Sequence, residues 1–149
     1  MTRDDYIQKV EGVLNEHTQR AASQLAAALA LVPPKTRKVV FEIFVDQDGE
    51  GFLTVRVTLE GPDLFVLNRA IAAHAELFGT RMTQRGLDPA LPLMEPGSEA
   101  FSVHDALADC ASAWVASVWR QAGRETFGLP VTIISHDGYG RNTPLHLES

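Results

Sequence analysis

Two runs rich in β-branched and aromatic residues, KVVFEIFVD (38–46) and FLTVRVTLE (52–60), constrain the fold of this chain more than any other feature. In the second run Leu53, Val55, Val57 and Leu59 alternate with Phe52, Thr54, Arg56 and Thr58. A period of two places these sets on opposite faces, as in a half-buried strand. The short acidic segment between the runs predicts an antiparallel hairpin. A three-residue loop on Gln47-Asp48-Gly49 would use Gly49 at a left-handed position. It would set Val39 opposite Val57, Phe41 opposite Val55 and Ile43 opposite Leu53, with Phe44 beside Phe52 and Glu42 diagonal to Arg56. A two-residue loop would instead bring Phe41 against Arg56.

The same segment, VDQDGEGFL, carries Asp46, Asp48 and Glu50 in the manner of the first half of an EF-hand calcium loop. That motif needs a bidentate glutamate at its twelfth position and helices on both sides. Here the twelfth position is Val57, inside a strand. Three acids at a turn can hold an ion weakly, but the segment reads as a turn and no metal site is assigned.

A hairpin buries its apolar face only against a further layer, and three amphipathic segments supply one. Over 4–31, Ile7, Val10, Leu14, His17, Ala21, Leu25 and Ala28 recur at three- and four-residue spacing, until Pro33 and Pro34 end the helix. Residues 62–78 form a second helical pattern, with Pro62 near its start, Gly79 as its stop and His74 on its apolar stripe. Both histidines read as packed side chains. Residues 102–121 form the third, opened by Ser102 and Asp105 as an approximate capping box. Its solvent stripe is narrow: Asp105, Asp109, Ser112, Ala116 and Arg120. So apolar a helix lies centrally against the sheet or gives one side to a second subunit, which predicts a homodimer through 102–121. Between the second and third helices, 80–99 reads as a surface connection with a short strand at TRMTQ. VTIIS and TPLHL close the chain as a strand and a short edge strand. The expected product is one α+β domain over 1–149, with an antiparallel or mixed sheet.

Composition removes several function classes. The chain has 149 residues, 45% hydrophobic and 21% charged, which suits one soluble domain. No apolar run is long enough to cross a bilayer, and MTRDDYIQKV lacks the pattern of a signal peptide, so a cytoplasmic location is expected. A single cysteine, Cys110, excludes an internal disulfide and a cysteine-based zinc site. Its position between Leu107 and Trp114 suits a small buried side chain. The formal net charge is −6, and the basic residues cluster only at Lys35, Arg37 and Lys38. Nucleic acid and anionic membranes are therefore not expected partners.

Functional side chains are densest in SHDGYGRN (135–142), directly after a buried strand. Loops on rigid elements commonly present binding residues, and His136, Asp137, Tyr139 and Arg141 are the candidate binding set. Gly138 and Gly140 let the backbone turn around Tyr139 and are expected to direct its ring outward. Adjacent His136 and Asp137 would not face each other as a catalytic base and its orienting acid. Any catalytic set would need His104, Asp105 or Cys110 from the third helix. No nucleophile elbow, phosphate-binding glycine loop or HExxH motif is present, so the balance leans against an enzyme, and no cofactor is expected.

Together, FEIFVDQDGEGFLTVRV, GPDLFVLNRAI, CASAWVASVW and VTIISHDGYG resemble a family of small acidic bacterial proteins classed as a domain of unknown function. The resemblance implies a bacterial, cytoplasmic, single-domain protein and brings no activity with it. Two functions are expected from the residues. The first is a non-catalytic protein-interaction module, immunity-protein-like or chaperone-like, whose acidity would steer a basic partner. The second is a small enzyme or ligand binder, with a pocket at the 135–142 loop lined by His136 and one of His104, Asp105 or Arg141.

Overall fold

The computed structural model describes residues 2–45, 52–92, 102–122 and 128–147. Strands β1 (Lys38–Val45) and β2 (Leu53–Glu60) form the expected antiparallel pair at the centre of a five-stranded sheet. Their register differs from the expected one. Phe41 faces Val57, Ile43 faces Val55, Val45 faces Leu53, and Glu42 stands directly opposite Arg56. The slide is two residues, so every side chain keeps its face; a slide of one would have reversed them all. Alternation fixes that parity but not the slide; the observed register places the opposite charges of Glu42 and Arg56 across from each other. The Gln47–Gly49 loop and the acids Asp46, Asp48 and Glu50 lie outside the described residues.

On the far side of β2 runs β3 (Glu76–Gly79), antiparallel, with a register shift between Val55 and Arg56. This corrects the expected 62–78 helix. Helix α3 covers only Leu64–Ile71, followed by a 3-10 turn at Ala72–His74. The helical period of 74–78 is overridden by the open edge of β2, where Val57 N–H donates to Ala75 O and Thr80 N–H to Leu53 O. Strands β4 (Arg81–Thr83) and β5 (Gly86–Asp88) make a separate small hairpin, which realises the strand expected at TRMTQ. On the other side of β1 lie β6 (Val131–Ser135), parallel to it, and the edge strand β7 (Leu145–Leu147), both as expected.

The long N-terminal helix is divided. Helix α1 spans Arg3–Glu16 and α2 spans Thr18–Ala30, with His17 between them at φ −103° and ψ 1°. Thr2 and Asp5 cap α1 reciprocally. The break accompanies packing that the period alone does not encode. Each half turns its own stripe inward, Tyr6, Val10 and Leu14 in α1, then Ala21, Leu25, Ala28 and Leu29 in α2. The Trp114 indole N–H reaches Thr18 Oγ1 at 2.9 Å, directly after the break.

Helix α4 (Val103–Ala122) packs against β1 and β6 on one side and against α1 and α2 on the other. Trp119 meets Phe41 edge-on, and Trp114 meets Phe78 in the same way. The expected solvent stripe is only partly right: Ser112 and Ala116 are buried, while Ala113, Arg120 and Gln121 are exposed. The apolar circumference that motivated a dimer is thus covered largely within the chain. Both stripe histidines are half-buried, His17 with its ring edge-on to Phe78 and His74 with Nδ1 3.0 Å from Gln24 Oε1. Cys110 is buried, and burial pushes its thiol up to about 11, which removes the thiolate a nucleophile would need. Among the described residues no helix is long and apolar enough to cross a membrane, and no three metal-ligating side chains converge.

Candidate functional site

The 135–142 loop leaves the C-terminal end of β6 through a 3-10 turn at His136–Gly138. Asp137 and Gly138 both adopt positive φ, 63° and 73°. An Asp-Gly pair suits such a turn because aspartate tolerates the left-handed region better than most residues. The chain then splits its side chains between two elements.

His136 turns toward the sheet. Its ring stacks on Phe44 at 4.0 Å with an interplanar angle of 11°, and Nε2 lies 3.4 Å from Glu42 Oε1. Tyr139 turns the other way and stacks on His104 of α4 at 4.5 Å and 13°. The expectation of an outward ring is therefore corrected. Tyr139 is half-buried against the core, because the backbone beyond it is latched to α4. Gly140 N–H donates to Asp105 Oδ1 at 2.7 Å, and the Arg141 and Asn142 amides both donate to Asp109 Oδ1, at 2.8 and 2.9 Å. Gly140 has φ 93°, and a Cβ there would approach Ala108 Cβ and Asp109 Oδ1 to 3.1 Å. Asp137 and the Arg141 side chain remain exposed.

The loop thus joins Tyr139, Gly140 and Arg141 to His104, Asp105 and Asp109, and sends His136 to Glu42 and Phe44. Sequence reasoning missed Glu42, Phe44 and Asp109 as partners. A signal existed for Asp109: Asp105 and Asp109 are like charges four residues apart on a helix, an arrangement that costs stability unless donors meet them. Chemically, both carboxylates act here as acceptors for backbone amides. His104 Nε2 and Ser135 Oγ are buried without a hydrogen-bond partner among the described residues.

Asp137 supplies a small, signed prediction. Relief of the left-handed backbone is worth about 1–2 kcal/mol, and the added freedom of glycine costs about 0.5–1 kcal/mol. Asp137→Gly should therefore raise unfolding stability by up to about 1 kcal/mol in urea titrations. A clear loss of stability would mean that the carboxylate holds something the backbone argument ignores.

Two features lie away from the loop. Leu64, Phe65 and Val66, at the first turn of α3, are exposed at 57%, 73% and 56%. They are held rigidly: Asp63 Oδ1 accepts the Val66 N–H, and the Asn68 side chain bonds both the N–H and the O of Leu59 on β2. The second feature is a cleft of about 250 Å³ where His17 and Arg20 face β3 and the β4–β5 hairpin.

Compared with known proteins, the sequence matches over residues 1–149 a family described as "Family of unknown function (DUF6389)". No curated protein and no solved structure matches it.

Proposed function

The chain belongs to this family of unknown function, and from that premise we propose that it acts as a non-catalytic protein-interaction module. The observation that carries the reading is the exposed Leu64-Phe65-Val66 turn. Three consecutive large apolar side chains in water serve no folding purpose, and such runs mark contact surfaces. Here they sit on a helix pinned to the sheet through Asn68, so little ordering entropy would be lost on docking. The proposed partner is a second protein with an apolar groove rimmed by basic groups. Exposed Glu60 and Asp63 flank the turn, and the chain carries a net charge of −6. An immunity-protein-like or chaperone-like role in a bacterial cytoplasm belongs to the same proposal. His136, Asp137 and Arg141 offer a second, more polar contact region, with Tyr139 as its support.

The alternative is a small enzyme or ligand binder at the 135–142 loop. It draws on the unpaired His104 Nε2 and Ser135 Oγ, but the two α4 carboxylates, Asp105 and Asp109, are already engaged by amides.

Affinity capture from the native host, with wild type beside Phe65→Asp, tests the reading. A stoichiometric protein retained by wild type and lost with Phe65→Asp is the expected result. Burying an exposed phenylalanine contributes about 1.5–3 kcal/mol, so affinity should fall at least tenfold. Because Phe65 is exposed, the variant should unfold as wild type does. Capture of no partner, or equal capture by both forms, overturns the proposal. Sedimentation of the purified chain separates self-association from a different partner.

A further inference from the structure

The cleft beside the break between α1 and α2 has a wall chemistry that the interaction reading does not use. Arg20 contributes a guanidinium from α2, and Arg81 a second from β4; Glu76 from β3 and Asp88 from β5 contribute carboxylates. His17 and Pro89 add a ring and an apolar edge to the lining. Arg81 is paired with Glu76, at Nη2 to Oε2. Arg20 and Asp88 have no ion-pair partner among the described residues. Each can therefore meet a ligand charge without breaking a bond of the fold.

Gly79 shapes the floor. A Cβ at this position would collide with the Glu76 carboxylate and lie 2.8 Å from Arg81 Nη1. Both are ends of flexible side chains, so a side chain at Gly79 would displace the ion pair on the cleft floor. The wall at His17 is held by its edge contact with Phe78, which in turn rests on Trp114.

Two cations and two anions on one concavity discriminate by charge pattern. A simple anion would face Glu76 and Asp88, and a simple cation would face Arg20 and Arg81. A small molecule carrying both charges can meet an opposite partner for each. At about 250 Å³ the cleft is below the roughly 300–1,000 Å³ usual for drug-sized ligands, so the ligand is small. We infer that this cleft binds a free α-amino acid, its carboxylate toward Arg20 and its ammonium toward Asp88.

The test is amide NMR of the full chain titrated with the standard free L-amino acids. For the best binder, the N-acetyl derivative lacks the ammonium and the primary amide lacks the carboxylate. The expected result is saturable shifts at Arg20, Gly79 and Arg81, with affinity reduced about tenfold or more by removal of either charge. Arg20→Gln and Asp88→Asn should each weaken binding by a similar factor, whereas Arg69→Gln, outside the cleft, should leave it unchanged. Phe65→Asp should also leave it unchanged, so failure of the interaction reading and failure of this one are separable. Absence of saturable shifts with every amino acid overturns the inference. So does equal binding of the N-acetyl derivative, which would make the cleft an anion site, or of the amide.

Discussion

Trp114→Ala should lower unfolding stability by about 3–5 kcal/mol, the range for removing a buried large aromatic side chain. Trp114 is 4% exposed and links three elements. It stands on α4, meets Phe78 of β3 edge-on at 5.9 Å, and donates its indole N–H to Thr18 of α2. Alanine would leave a cavity in the layer between helices and sheet, and would remove the donor to Thr18 Oγ1, which keeps its own hydrogen bond to Leu14 O. Native domains hold only about 5–15 kcal/mol in total, so this one change can consume a large fraction of the stability. Trp114→Phe, which keeps most of the volume and loses the hydrogen bond, should cost about 1–2 kcal/mol. Urea unfolding of both variants is the measurement. A phenylalanine variant as damaged as the alanine variant would assign the effect to the hydrogen bond rather than to packing. Loss of Trp114 should also loosen the wall of the amino-acid cleft, since His17 leans on Phe78 and Phe78 on Trp114.

Asp109→Ala is expected to release the 139–142 segment from α4. One carboxylate oxygen accepts two backbone amides, and hydrogen bonds to a charged acceptor contribute about 1.5–3 kcal/mol each when protected. Both are exposed here, so a combined loss of about 2–3 kcal/mol is expected rather than the sum. Amide exchange at Arg141 and Asn142 should accelerate, whereas exchange in β1 and β2 should change little if the loop opens locally. Asp109→Asn keeps an acceptor and removes the charge, so it should restore part of the protection. Gly140→Ala should open the same latch from the other side, through its positive φ and the close approach to Ala108 and Asp109. If Asp109→Ala leaves exchange at both amides unchanged, the latch does not hold the loop. The candidate residues of the loop would then need a different account of their rigidity.

The proposed contact residues and the site geometry were legible to different degrees. His136, Asp137, Tyr139 and Arg141 stand out in sequence because polar side chains crowd between two glycines after a strand. Their destinations do not. Nothing local to Tyr139 indicates His104, and nothing local to His136 indicates Phe44, because these stacking partners are 35 and 92 positions away in the chain. The helical pattern over 62–78 does not reveal the exposure of Phe65, since a continuous apolar run, Leu64 to Leu67, does not say which members face inward. In the fold Leu67 and Ile71 take the core and the first three residues are left in water.

By itself the sequence determined the elements whose periods are unambiguous: the two faces of β1 and β2, the helix expected over 102–121 and found at Val103–Ala122, and the closing strands expected at 131–135 and 143–147 and found at Val131–Ser135 and Leu145–Leu147. Alternation and helical spacing are local properties, and the cost of exposing an apolar face enforces them wherever the chain goes. Only the tertiary structure decided the two-residue slide between β1 and β2, the break at His17, and the conversion of Glu76–Gly79 from helix to edge strand. In each case the local pattern is compatible with more than one outcome. A partner distant in sequence then settled the choice: the open edge of β2 for Glu76–Gly79, and the packing of α4 for the two halves of the first helix.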